Sequence, residues 1–213
     1  SLRCLCEDGD FVKKGDVLAE IEGNARSILA GERTALNLMQ RASGIATATR
    51  QAVESVKGTN AKITDTRKTM PGLRMLDKYA VRVGGGTNHR YSLSDGVLIK
   101  DNHIAAAGGL TNAVLSAKAY VPHTLKVEVE TETLEQVKEA LSAGADIIML
   151  DNMSYEMMAE AVKLIDGKAV TEASGNMGER DLKSVAETGV DLISIGALTH
   201  TVKALDISLR FAE

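Results

Sequence analysis

The sequence predicts an α/β protein whose main body is an open or irregular βα barrel of about six parallel strands. Three observations carry that expectation. Six short apolar runs alternate with stretches of helical periodicity from residue 61 onward, the pattern of right-handed βα units around a parallel sheet. Polar residues recur at the C-terminal end of each run, and in a barrel those ends share one rim. No G-x-G-x-x-G follows any strand and no Walker A sequence occurs, which argues against a doubly wound nucleotide-binding sheet. Aromatic residues make up only 3% of the 213, so an alanine- and valine-rich α/β core fits better than a β-sandwich.

Taken in order, residues 1–30 hold Gly9-Asp10 and Gly15-Asp16 turns between short alternating runs, which predicts small antiparallel strands. This part resembles half of a biotinyl or lipoyl carrier domain by weak analogy, but it lacks the lysine such a carrier presents at a hairpin tip. From Gly31 the period changes. Ala35, Leu36, Leu38, Met39, Ala42, Ile45 and Ala46 predict a helix over about 32–57, with a break at Gly44. Arg33 then stands at a helix start, where a cation opposes the macrodipole. Strands are expected at 61–66, 96–100, 125–130, 146–150, 169–172 and 191–195, with helices at 71–81, 107–119, 132–143, 154–166 and 179–188. The barrel accordingly spans 31–203. The strict alternation of Ala204 to Phe211 predicts a last strand, 204–213, returning to the N-terminal part.

The totals exclude several classes of function. A net charge of −4 gives no sign of nucleic acid or a membrane surface as partner. No apolar run approaches the roughly 20 residues of a membrane span and no signal peptide is visible, so the protein reads as cytoplasmic. Cys4 and Cys6 are too close for an ordinary disulfide and too few for a structural zinc site, and read as reduced structural cysteines. Beginning with Ser, the chain reads as a fragment or processed product.

Against that acidic background, seven Lys or Arg and His89 stand between Lys62 and Arg90, opposed only by Asp65 and Asp77. A local cation excess on an acidic chain points to a small polyanion. Gly84-Gly85-Gly86 reads as a place where backbone N–H groups approach a ligand. Arg74, Lys78 and Arg82, four apart, read as a solvated helix face. Arg67 and Lys68 follow the first strand, Lys100 ends the second, Glu130 the third and Asp151 the fourth. Ser174-Gly175-Asn176 follows the fifth and Gly196-Ala197 the sixth.

Three ordered motifs, Asp65-Thr66-Arg67-Lys68-Thr69-Met70-Pro71-Gly72, Gly84-Gly85-Gly86-x-Asn88-His89-Arg90 and Ile99-Lys100-Asp101-Asn102-His103, resemble the quinolinate phosphoribosyltransferase family, and the resemblance runs from about Gly31 to the C-terminus. It implies that 1–30 is the remnant of an N-terminal α/β sandwich domain. It also implies quinolinate and phosphoribosyl pyrophosphate as substrates, Mg²⁺ as cofactor, and a homodimer or higher oligomer with shared active sites. Carried over by position, Thr66, Arg67, His89 and Arg90 would line the quinolinate site with Lys68 and Lys100, the two lysines being counted with Glu130 and Asp151 as catalytic. Arg33 would come from a second subunit. Glu130 and Asp151 would face the ribose and the Mg²⁺, and Ser174, Gly175, Asn176, Gly196 and Ala197 would bind the 5′-phosphate. The alternatives are a related transferase acting on another acidic heterocycle, or an inactive sugar-phosphate-binding barrel.

Overall fold

A computed structural model describes residues 1–211. Strands β1 (Leu2–Cys4) and β2 (Ala19–Ile21) pair antiparallel and lead into the 31-residue helix α1 (Ala25–Ser55). Then follow β3 (Lys62–Thr64), α2 (Arg74–Val83), β4 (Val97–Ile99), α3 (Asp101–Ala107), α4 (Leu110–Tyr120), β5 (Val127–Thr131), α5 (Leu134–Ser142), β6 (Ile147–Asp151), α6 (Tyr155–Ile165), β7 (Val170–Ser174), α7 (Leu182–Glu187), β8 (Leu192–Ser194) and α8 (Ala197–His200). The six strands β3 to β8 form one parallel sheet in the order β3-β8-β7-β6-β5-β4, so the barrel is open between β3 and β4.

Alternation along the strands sorts the residues. Ile63, Val127, Val129, Ile148, Leu150, Ala173 and Ile193 join Val114, Val137, Met158 and Val185 of the helices in the main apolar core. Their neighbours Thr64, Glu128, Met149, Glu172 and Ser194 are buried too but lie outside that core, facing the barrel interior. Thr133 and Ser154 cap α5 and α6 through their hydroxyls, which start these helices directly after their strands.

Four expectations need correction. Helix α1 begins at Ala25, because Asn24 caps it by accepting from the Ser27 N–H at 3.2 Å. Arg33 therefore lies in the third turn and carries no macrodipole penalty. The helix runs unbroken through Gly44, whose missing side chain admits the tail: a Cβ there would lie 2.3 Å from the Lys203 carbonyl oxygen. The tail forms no strand up to residue 211, the rest of it lying outside the described residues. It rides on α1 instead, Leu205 N–H donating to the Gln40 carbonyl (3.0 Å) and Gln40 Nε2 to the Ile207 carbonyl (2.7 Å). The glycine run also serves packing. A Cβ on Gly84 would stand 2.5 Å from the Ala46 carbonyl oxygen and 2.6 Å from Thr49 Cβ, so these glycines let α2 end against α1.

Candidate active site

Two buried carboxylates set the loops that carry the arginines. Asp65, directly after β3, is fully buried and accepts from Lys78 Nζ (2.5 Å), the His89 N–H (2.8 Å) and Asn88 Nδ2 (2.7 Å). It ties α2 to the segment that presents His89 and Arg90. Asp77 on α2, also fully buried, receives Arg41 at both oxygens (2.8 Å each) and the Met70 N–H (3.0 Å), while the same Arg41 reaches the Thr199 carbonyl at 2.8 Å. Arg74 donates to Thr69 Oγ1 and to the Arg67 and Tyr91 carbonyls, fastening the loop after β3 to that after Arg90. The expectation of a solvated face at 74, 78 and 82 thus holds for Arg82 alone. Lys78 is 3% exposed because Asp65 offers it a buried counter-charge.

The two arginines lie close to each other, with the interior acid Glu128 near Arg90. Among the described residues, the buried side-chain nitrogens and oxygens without a partner are Arg67 Nε, Arg90 Nε, Glu128 Oε1 and both carboxylate oxygens of Glu172. Burial, followed by the charge of Arg67, holds the Arg90 guanidinium below its ordinary pKa, with Glu128 and Asp95 acting the other way. Arg90 is anchored by a 3.0 Å bond to the Gly96 carbonyl, so its guanidinium cannot simply turn away. Two cations forced together with unused donors make a preformed site for a dianion.

His89 joins this group. Its Nε2 lies 3.2 Å from Glu128 and 3.6 Å from Glu172, while Nδ1 accepts the Arg90 N–H at 2.8 Å. Burial works against a charged ring, but the hydrogen bond to Glu128 and the charge of Glu172 outweigh it and raise the pKa. The N–H facing Nδ1 opposes a second ring proton, so these contacts select the Nε2–H tautomer. His89, Glu128 and Glu172 each offer a ligand atom within 4.8 Å of the others, which makes them the group among the described residues that could hold a metal ion.

At the rim, Lys100 pairs with Glu130 at 2.5 Å across the ends of β4 and β5. Asp151 ends β6 opposite Ser174 of β7 and accepts from Asn152 Nδ2 at 2.7 Å. Gly175 has φ +92°, and a Cβ there would meet Asn152 Oδ1 at 2.3 Å, so this turn can only be glycine. Lys68 runs beside Gly196, where a Cβ would come within 3.2 Å of Lys68 Cδ, and the Lys68 carbonyl accepts from Thr199 Oγ1. Lys68, Gly196 and Ala197 therefore stand together. Thr66 turns the loop by accepting the Lys68 N–H at 3.1 Å.

Of the substrate-binding and catalytic residues expected from the sequence, all but Arg33 lie along this rim or in the interior below it. Arg33 projects from α1, its side chain 70% exposed, with Glu32 at 3.9 Å as its ion-pair partner among the described residues. Sequence reasoning missed Asp65 and Asp77 as organisers and Glu128 and Glu172 as interior acids. The alternation Val127-Glu128-Val129-Glu130 was the available signal, since it puts Glu128 on the same face as Glu130.

A profile of the quinolinate phosphoribosyl transferase N-terminal domain matches residues 2–43, and one of the C-terminal domain matches residues 45–210. The probable nicotinate-nucleotide pyrophosphorylase (carboxylating) of Bacillus subtilis (strain 168) is 53% identical over 203 residues, 95% of this chain and 70% of that protein. The chloroplastic nicotinate-nucleotide pyrophosphorylase (carboxylating) of Arabidopsis thaliana is 49% identical over 222 residues, 96% of this chain and 63% of that protein. Among solved structures, the nicotinate-nucleotide pyrophosphorylase from Francisella tularensis matches with a TM-score of 0.93 and 46% identity, over 98% of this chain and 74% of that one. Among the described residues no helix is long and apolar enough to cross a membrane.

Proposed function

The chain belongs to the quinolinate phosphoribosyltransferase family, and on that premise we propose that it joins quinolinate to the phosphoribosyl group of phosphoribosyl pyrophosphate. The products are nicotinate mononucleotide, diphosphate and carbon dioxide, a step toward NAD. The observation that carries this reading is the pair Arg67 and Arg90, held together half-buried with their Nε donors unpartnered. Two carboxylates on neighbouring ring carbons suit such a pair, and planar guanidiniums suit carboxylates better than ammonium groups do.

The remaining residues take roles that follow from their places. The transfer passes through a ribosyl cation-like transition state, so carboxylates at the rim stabilise the charge developing on the sugar. Glu130 and Asp151 are those carboxylates, on neighbouring strand ends. They also fit Mg²⁺, a hard cation that takes one or two carboxylates together with substrate phosphates, and which when bound stabilises the departing diphosphate. Lys68 with Gly196 and Ala197, and Ser174 with Gly175 and Asn176, would hold the 5′-phosphate through an ammonium group and backbone N–H groups. Lys100, placed by Glu130, stands between donor and acceptor. Arg33, exposed on α1 and away from the rim residues of its own chain, is assigned to the pocket of a second copy, which makes the working unit a homodimer. The enzyme is placed in the cytoplasm.

Product analysis after mixing the protein with quinolinate, the phosphoribosyl donor and Mg²⁺ tests the reading. Carbon dioxide and nicotinate mononucleotide are expected in equal amounts. Transfer to another acidic heterocycle without carbon dioxide, or no turnover at all, would sink it in favour of the related transferase or the idle barrel. Replacing Arg90 by Lys keeps the charge but loses the fork, and should weaken quinolinate binding by about 1–3 kcal/mol while donor binding changes much less.

A further inference from the structure

We propose that Glu128 is a positioning residue for the dicarboxylate clamp: from the barrel interior it fixes the His89 ring, and through that ring the backbone from which Arg90 extends. This rests on the quinolinate reading given above and adds to it a residue that acts on the acceptor through others.

Every polar atom of His89 is taken by the protein. Its N–H donates to Asp65 Oδ1 at 2.8 Å and its carbonyl accepts from Lys78 Nζ at 3.0 Å. Nδ1 accepts the Arg90 N–H at 2.8 Å, and Nε2 lies 3.2 Å from a Glu128 carboxylate oxygen. Glu172, at 3.6 Å, stands beyond hydrogen-bond reach. With Nδ1 closed by an N–H, the ring proton sits on Nε2, where Glu128 is the nearest acceptor. The imidazole thus couples Glu128 to the Arg90 amide, each contact requiring the same tautomer. That tautomer leaves Nε2 no lone pair for a metal ion, so the three side chains work here as a hydrogen-bonding group.

What Glu128 adds is a hold from the opposite side of the open seam. Asp65 follows β3 and Lys78 lies on α2, so their bonds tie His89 to the β3 side alone. Glu128 stands on β5, paired with Leu98 of β4 and Ile147 of β6, at the other end of the sheet. The His89 and Glu128 side chains are 14% and 4% exposed, so water competes little for their contact. Arg90 is then held twice from that far side: its N–H through His89 to β5, and its guanidinium by the Gly96 carbonyl just before β4. Its Nε remains without a partner. Without Glu128 the ring is free to turn, and the Arg90 amide loses its fixed acceptor.

Charge alone predicts the opposite effect. Glu128 is an anion near Arg90, and removing it would leave the clamp more positive and favour a dianion. The sign of the change therefore separates positioning from charge.

Two variants make the test. Glu128→Met keeps the length of the side chain and loses the acceptor, whereas Glu128→Gln loses the charge and keeps an acceptor for the Nε2–H. In calorimetric titrations the Met variant should bind quinolinate roughly 10–100-fold more weakly, while its affinity for phosphoribosyl pyrophosphate with Mg²⁺ changes less than about 3-fold. The Gln variant should bind quinolinate at least about 10-fold more tightly than the Met variant. Tighter quinolinate binding in the Met variant would give the residue to charge, equal weakening for both substrates would give it to folding, and no recovery in the Gln variant would remove the hydrogen bond from the account; each overturns the proposal. A second measurement, native-state hydrogen exchange, needs no substrate. The Arg90 amide should exchange at least about 10-fold faster in the Met variant, with the Thr87 amide unchanged because the Ile63 carbonyl holds it. Both amides accelerating together, or neither, would also overturn it. If wild type binds no quinolinate, the proposed reaction fails, and the exchange result still judges the link from Glu128 to Arg90 by itself.

Discussion

Replacing Asp77 by Asn removes one charge from a pair that four segments share. Asp77 binds Arg41 of α1 through two 2.8 Å bonds and the Met70 N–H at 3.0 Å, and Arg41 in turn holds the Thr199 carbonyl of α8 at 2.8 Å. The side chains are 0% and 17% exposed, so water cannot take over the lost partner. Asn keeps a single carbonyl oxygen, which can serve Met70 or one arm of Arg41 but does not neutralise the guanidinium. Breaking a buried pair from one side costs about 3–5 kcal/mol, a large share of a total stability of roughly 5–15 kcal/mol. With a urea m-value of about 2–3 kcal/mol per molar, the midpoint should fall by roughly 1–2 M with m unchanged. The double variant Arg41→Met with Asp77→Leu should lose less than the sum of the single changes, by about 1–3 kcal/mol, because it leaves no charge buried. A loss below about 1 kcal/mol for Asp77→Asn, or additive single changes, would mean that the pair is screened and that something else holds the loop of Arg67.

Two further expectations concern α1. Gly84→Ala should cost about 1–3 kcal/mol, because its Cβ would strike Ala46 and Thr49 of that helix. Gly31→Ala, with open space around it on α1, should be neutral or stabilising by up to about 1 kcal/mol; equal melting temperatures for the two would sink the packing account. If Arg33 serves a second copy, mixing inactive Arg33→Ala with inactive Lys100→Ala should restore up to about a quarter of wild-type activity, since half of the randomly formed dimers carry one intact site of two. No recovery, with subunit exchange confirmed by mass, would place Arg33 outside the shared pocket.

The barrel was legible because its strands and helices announce themselves by local period, and each of the six barrel strands expected from the sequence overlaps one in the structure. The site was legible because charged residues gather at strand ends. Depth was not. Glu128 and Glu130 read alike in an alternating run, yet one pairs with a half-buried imidazole and the other with a rim lysine. Lys78 reads as solvated because its counter-charge, Asp65, stands 13 residues away on another element. The start of α1 was misplaced because Gly31 reads as a boundary between two periods, whereas it lies inside the helix that Asn24 caps. The tail alternates like a strand, but period two names no partner, and Gln40 supplies its hydrogen bonds from a helix.

The open seam of the barrel gives the segment after α2 an unusual status. Thr87 forms an isolated parallel bridge with Thr64: its N–H donates to the Ile63 carbonyl at 2.8 Å, and its carbonyl accepts the Asp65 N–H at 3.2 Å. The His89 N–H is then taken by the Asp65 side chain, so the connection carrying His89 and Arg90 is pinned to the free edge of β3 as a seventh strand would be. In a hydrogen-exchange experiment the amides of Thr87 and His89 should be slow alongside those of β3, although neighbouring residues look like ordinary loop. Ordering of the arginine then belongs to folding, leaving little to be lost when a ligand arrives. A clamp fixed in this way selects by spacing. A diacid with its carboxylates farther apart on the ring would meet cations that cannot follow them, which makes rigidity at the seam a source of discrimination among isomers.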